Sequence, residues 1–161
     1  DAALDLMVAD EGRVQIIFFY RTEEDMRTFL RHPRSMVGSD GSALTADGPT
    51  GGGRPHPRNY GAAARILGRY VRETPVLSLE DAVHRMTGKV ADRLGLRDRG
   101  WIRAGCAADI AVIDAHHVID NATFDAPHQY ATGIPWVVVN GAVAVAEGEP
   151  TGIHRGRVLA A

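Results

Sequence analysis

The chain has 161 residues, enough for a domain with a core of its own. It is 45% hydrophobic and 24% charged with a net charge of -2, which excludes a disordered chain and gives no basic footprint for nucleic acid or a membrane surface. The single cysteine, Cys106, excludes an internal disulfide framework and fits a reducing, cytoplasmic setting, and no run of 18 apolar residues marks a membrane span.

The first residue is Asp1 and an amphipathic pattern is already under way, so the chain is expected to be a piece of a longer protein. Leu4, Leu6, Met7 and Val8 form a short helix-like pattern that ends at Gly12. Residues 14–20, Val-Gln-Ile-Ile-Phe-Phe-Tyr, read as a strand covered on both faces, because apolar side chains fall on both sides of it. Thr22 followed by Glu23, Glu24 and Asp25 is a helix start, with a capping hydroxyl and acids in the first turn. Met26, Phe29 and Leu30 give that helix its apolar face, and Pro33 stops it. Ser35-Met36-Val37 reads as the next strand. Helix, strand, helix, strand is the alternation of an α/β unit with a parallel sheet.

The stretch Met36-Val37-Gly38-Ser39-Asp40-Gly41 is the one around which the rest is organised. Gly38 and Gly41 are free to take φ > 0 and to let another group approach the backbone. Chemistry in a barrel of parallel strands sits at the C-terminal strand ends, where Asp40 would stand. The commoner use of Asp beside Gly is a turn that bonds its own backbone, and spacing alone leaves both readings open.

A long glycine- and proline-rich loop, residues 41–57, follows directly. Its three consecutive glycines lack the Lys-Ser/Thr ending of a phosphate-binding loop. It runs into His56-Pro57-Arg58-Asn59-Tyr60, which either lines a pocket beside the carboxylate or is a solvated loop with Pro57 starting a helix. The pattern predicts that helix over residues 58–72, with Ala64, Leu67, Tyr70 and Val71 on one face and Arg65, Arg69 and Arg72 on a solvated one. Pro75 ends it. Ser78 with Glu80 and Asp81 caps another helix carrying Ala82, Val83 and Met86, and residues 90–94 form a short one closed by Gly95.

The last third changes character. Residues 109–114 contain a short strand bracketed by acids. Residues 136–139 and 142–145 flank Asn140-Gly141, the strongest short hairpin signal, because a type I′ turn needs φ > 0 twice. Residues 136–145 are expected to pair antiparallel, with residues 110–113 in the same sheet. This small β module is read as separate, with its boundary near residues 101–105. The histidines supply neither His-x-His nor His-Glu-x-x-His, and adjacent His116 and His117 read as surface residues. A catalytic zinc needs three protein ligands and an open position, and no convincing set of three is present. No Gly-x-Ser-x-Gly occurs.

At this point the residues carry a resemblance. Gly38-Ser39-Asp40-Gly41, His56-Pro57-Arg58-Asn59-Tyr60-Gly61 and Leu67-Gly68-Arg69-Tyr70-Val71-Arg72-Glu73 resemble the N-acyl-D-amino-acid deacylases (D-aminoacylases) of the amidohydrolase superfamily. So do Gly95-Leu96-Arg97-Asp98-Arg99-Gly100, Ala107-Ala108-Asp109-Ile110, Pro127-His128-Gln129-Tyr130 and Val139-Asn140-Gly141. The Ala-Asp-strand piece is shared widely across amidohydrolases. Its combination with His-Pro-Arg and Pro-His-Gln-Tyr is much more specific to the deacylases.

The resemblance implies an α/β fold: the C-terminal part of a metal-dependent (β/α)8 barrel over residues 1–100, followed by part of a small β-sandwich over 101–161. Residues 14–20 would be the seventh barrel strand and 35–38 the eighth. Without the other strands they are expected to form an incomplete arc with residues 14–20 exposed. The implied chemistry is hydrolysis of an N-acyl-D-amino acid by a zinc-activated water, with Asp40 as general base and then general acid, and possible also as a metal ligand. Ser39, His56, Arg58 and Tyr60 would contact the substrate. The other zinc ligands would lie outside this chain, on the missing N-terminal part of the same enzyme, so the chain alone is expected to be inactive. Two other readings stay open: a cyclic-amide hydrolase of the dihydropyrimidinase kind, and a non-catalytic relic or interaction module.

Overall fold

The computed structural model describes residues 1–14 and 16–159. Helix α1 (Ala2–Ala9) is capped by the Asp1 side chain, and the chain leaves it through Gly12 at φ 76°. Helix α2 (Glu23–Arg31) begins with a complete capping box: Asp25 N–H donates to Thr22 Oγ1, and the Asp25 carboxylate accepts from Thr22 N–H. Helix α3 (Arg58–Arg65) starts after Pro57, as expected, but the winding then widens into a π-helix over Ile66–Glu73. Helix α4 (Leu79–Met86) is capped by Ser78, and α5 (Gly88–Leu94) ends at Gly95 with φ 73°.

The core gathers on the π-helix. Ile66, Leu67 and Tyr70 are buried with Ala64 of α3, Leu30 of α2, Leu77, Ala82 of α4 and Val118. Burial of such aliphatic side chains at about 1.5–3 kcal/mol each is the main favourable term. The crossing of residues 117–122 over this helix depends on glycine. A Cβ on Gly61 would overlap the Asp120 carboxylate, one on Gly68 would lie 2.6 Å from the Val118 carbonyl oxygen, and one on Gly133 would lie 2.4 Å from Val118 Cα. The three arginines expected on a solvated face are instead tied to other elements. Arg65 pairs with Asp120 at 3.5 Å, Arg69 with Glu23 at 3.3 Å, and Arg72 donates to the Val118 carbonyl at 2.6 Å.

The two expected parallel strands are not formed. Residues 14 and 16–20 and residues 35–38 make no ladder, and Gln15 lies outside the described residues. A parallel strand is held by hydrogen bonds to neighbours, and the described residues include no neighbouring strand for either segment. The apolar side chains of Phe18, Phe19 and Tyr20 are consequently exposed, as expected of an orphaned strand.

Residues 35–37 are anchored instead through Arg85. Its side chain is only 6% exposed, yet every polar position is used. It grips Asp81 one turn back at 2.9 and 2.8 Å, and donates to the Leu30 and His32 carbonyls, both at 2.7 Å, and to Ser35 Oγ. Val37 N–H then donates to the Arg85 carbonyl at 3.1 Å.

The β module is one antiparallel sheet in the order β1 (Ile110–Val112), β2 (Trp136–Val139), β3 (Ala142–Ala146), β4 (Glu149–Pro150). The hairpin turns where expected, with Asn140 at φ 47° and Gly141 at φ 80°. Arg99 clamps this turn, pairing with Asp109 and donating to Asn140 Oδ1 at 2.7 Å, while Asn140 N–H donates to Asp109 Oδ1 at 2.7 Å. That backbone amide, then Arg99, holds the Asp109 carboxyl below the usual carboxylate range.

Replacing Arg85 with Met leaves the Leu30 carbonyl with only the long contact from Ser35 Oγ at 3.4 Å and Asp81 without its partner, while the His32 carbonyl keeps Ser35 N–H at 3.0 Å. Chemical denaturation should show a loss of about 3 kcal/mol. Lys at this position should restore only part of it, because an ammonium lacks the planar fork. The same pair sets an acid limit: the hydrogen bond from Arg85 holds Asp81 below its ordinary value. Its contribution is therefore present above about pH 3.9 and is lost as pH falls through the folded-state value. The Arg85→Met protein should lack this component of the stability-versus-pH curve.

Candidate functional site

Asp40 stands at the end of the segment hung on Arg85, and its side chain is 88% exposed. The expectation that glycine supplies the left-handed backbone here is not met: the positive φ, 49°, falls on Asp40 itself. Aspartate tolerates this region better than most residues, at a cost of about 1–3 kcal/mol that the surroundings must hold. They do so through Ser39, whose Oγ accepts from Gly41 N–H at 3.1 Å, and through Asn59, whose Oδ1 accepts from Ser42 N–H at 2.6 Å. Gly41 matters by having no side chain, since a Cβ there would sit 3.1 Å from Asn59 Oδ1 and 3.3 Å from the Arg58 carbonyl oxygen.

The strand-end turn is thereby pressed against the first turn of α3, and Arg58 Nη2 lies 3.1 Å from Asp40 Oδ2. His56 precedes it by two residues. Its Nδ1 accepts from Arg58 N–H at 3.1 Å, which leaves the proton of the neutral ring on Nε2. Burial, then the charges of Arg58 and Arg65, lower the His56 pKa, with Asp40 acting in the opposite sense. Tyr60 turns away: its hydroxyl donates to the Thr45 carbonyl at 3.1 Å, and its ring packs 5.8 Å from His128 and 5.9 Å from Tyr130. The His56 ring meets Phe124 edge-on at 5.0 Å, and Phe124 meets Phe19 at 4.8 Å.

The structure therefore brings Ser39, Asp40, His56 and Arg58 to one place and joins the His-Pro-Arg block to the Pro-His-Gln-Tyr block through aromatic rings. Metal donors are not gathered in the same way. Among the described residues no group of three or more His, Cys, Asp and Glu lies together so as to hold an ion. The partner of Asp40 is a cation rather than a second donor. The donor set among the described residues does not fit a metal by itself.

The sequence profile of the amidohydrolase family matches residues 19–145. The chain belongs to the amidohydrolase family. It is 44% identical over 144 residues to the N-acyl-D-glutamate deacylase of Alcaligenes xylosoxydans xylosoxydans, covering 89% of this chain and 28% of that protein. In three dimensions it is similar to a crystal structure of D-aminoacylase, with a TM-score of 0.79 and 40% identity over 88% of this chain and 28% of that one. It is also similar to the N-acyl-D-glutamate deacylase of Bordetella bronchiseptica, solved with zinc and a phosphonate inhibitor, with a TM-score of 0.69 and 41% identity over 80% of this chain and 27% of that one. This amidohydrolase chain thus spans little more than a quarter of the length of the relatives it matches.

Sequence reasoning missed two residues that build the site. Asn59 was visible only as part of a motif, since its bond to Ser42 joins segments 17 residues apart. Arg85 did carry a signal, since Asp81 and Arg85 stand four apart on one helix face.

The His56 environment makes a testable statement. By NMR its ring should titrate below the ordinary value of about 6.5. The unfolded chain then binds the proton first, so this residue adds stability as pH rises towards about 6.5 and removes it on acidification. Arg58→Met should move the His56 titration up towards the ordinary value, and an unmoved titration would show that Arg58 does not act on the ring.

Proposed function

We propose that this chain is the C-terminal part of a zinc-dependent N-acyl-D-amino-acid deacylase, and that Asp40 is its proton-transfer group. In this reading residues 1–100 belong to the end of a (β/α)8 barrel and residues 101–161 to a β-sandwich. The observation that carries it is the Asp40 turn: an exposed carboxylate held in a left-handed conformation 3.1 Å from Arg58. The family membership and the zinc in the Bordetella relative support the chemistry. Zinc supplies a Lewis acid that polarises a carbonyl and lowers the pKa of a bound water. In this reading its ligands would come from outside the described residues, on the N-terminal part of the same enzyme.

The residues of this chain divide the work. Asp40 Oδ2 faces Arg58, which leaves Oδ1 to take the proton of the attacking water. The same carboxyl then returns that proton to the leaving nitrogen as the amide C–N bond breaks, giving a carboxylate and a free D-amino acid. Three donors stand beside it with a hydrogen to give: the Ser39 hydroxyl, whose oxygen accepts from Gly41, the His56 Nε2–H, and the Arg58 guanidinium. All three suit a substrate that presents a carboxylate and an acyl oxygen. Tyr60 does not join them, its hydroxyl being engaged by the Thr45 carbonyl and its ring by His128 and Tyr130.

The test uses an enzyme in which this chain replaces the matching segment of a D-aminoacylase. Asp40→Asn keeps the shape but cannot take up a proton, so kcat should fall by about 10²–10⁴-fold with zinc content unchanged. A parallel loss of zinc would move Asp40 from proton carrier to ligand. Turnover within a few-fold of the parent would sink the proposal.

A further inference from the structure

The loop of residues 41–57 connects Asp40 to Arg58, and one of its peptides is held from both sides. Tyr60 Oη donates to the Thr45 carbonyl at 3.1 Å, and Ala46 N–H donates to Tyr130 Oη at 2.8 Å. These two groups belong to the same peptide unit. A trans peptide points its C=O and N–H in opposite directions, so the two hydroxyls grip one plane from opposite edges. The tyrosine rings meet edge-on at 5.9 Å with an interplanar angle of 67°, which sets the distance between the jaws.

Each jaw is itself fixed. Tyr60 lies on α3, two residues beyond Arg58. Tyr130 lies far along the chain, where Asn121 Nδ2 donates to its carbonyl at 2.9 Å and the Ile119–Thr132 bridge follows directly. Between Asp40 and the gripped peptide, Ser42 is already bound to Asn59 at 2.6 Å. Beyond it, Thr45 and Thr50 close a small turn through Thr45 N–H to Thr50 Oγ1 at 3.0 Å. The half of the loop next to Asp40 is therefore pinned to α3 and to Tyr130, and Gly51 of the glycine-rich half lies against it, where a Cβ would come 2.7 Å from the Ala46 carbonyl oxygen.

We propose that Tyr60 and Tyr130 are positioning residues, a two-sided clamp on the Thr45–Ala46 peptide that fixes the path from Asp40 to Arg58. The catalytic meaning of the clamp rests on the proposed role of Asp40, but its existence does not. It reassigns the Tyr60 hydroxyl from the substrate to the loop. It also gives the Pro-His-Gln-Tyr block a task, since that block carries the second jaw.

Hydrogen exchange at the Ala46 amide, read by NMR, tests the clamp on this chain without any turnover. The amide should be protected in the wild type and should exchange about five-fold faster in Tyr130→Phe, which removes its acceptor. Tyr60→Phe should also speed it, although Tyr60 never touches that N–H; only a shared grip on the peptide transmits the change. The Ala82 amide in α4 should keep its rate in both variants, which separates loosening of the loop from general destabilisation. An Ala46 rate in Tyr60→Phe equal to the wild type would overturn the clamp. In the completed enzyme both variants should lower kcat about ten-fold with KM little changed, as expected when a reacting group is misplaced while substrate binding stays intact. Faster exchange with unaltered kcat would overturn the positioning role, whereas failure of the Asp40 reading itself would show separately, in the Asp40→Asn enzyme.

Discussion

Arg85 holds a full positive charge where water scarcely reaches, and the course of the chain up to Asp40 depends on how that charge is satisfied. An unpaired guanidinium in this place would cost several kcal/mol. It is compensated by one carboxylate, two carbonyls and a hydroxyl. The Leu30 carbonyl is one of those left open at the end of α2, and the His32 carbonyl also takes Ser35 N–H in the turn that follows. One side chain thus closes α2, fixes the turn at Pro33 and joins both to α4. The carbonyl of the same residue takes the Val37 amide, so the segment expected as a barrel strand runs along α4, with no strand beside it among the described residues.

From that anchor the site follows by contact. The Asp40 turn meets the start of α3 because Gly41 has no Cβ and Asn59 accepts from the following amide. α3 and the π-helix in turn hold residues 118–120, because Gly61 and Gly68 leave room for them. Blocks of sequence that look unrelated along the chain therefore describe one physical object. The glycines mark where backbones approach closely, and the aromatic residues mark where the loop, the helix and the tail meet.

Local rules were legible in the sequence to the extent that they act locally. The Thr22 capping box, the Ser78 cap, the stop at Gly95 and the Asn140-Gly141 turn all stand where the residues place them, because each depends on neighbours within four positions. Residues 14 and 16–20 fail for the complementary reason: a buried strand exists only through its partners, and the described residues provide none. Arg65, Arg69 and Arg72 looked like a solvated stripe, since helical spacing does not reveal that Asp120, Glu23 and the Val118 carbonyl come to meet them. The π-helical winding and the left-handed backbone at Asp40 carried no local signal. Both belong to the crossing of distant segments.

The most direct test is the isolated 161-residue chain, given zinc and N-acetyl-D-methionine. A catalytic zinc requires three protein ligands, and the described residues gather no such group. The expected result is no stoichiometric zinc binding and no release of D-methionine. Clear turnover by the chain alone would contradict the fragment reading, because a complete site would then have to lie within these residues.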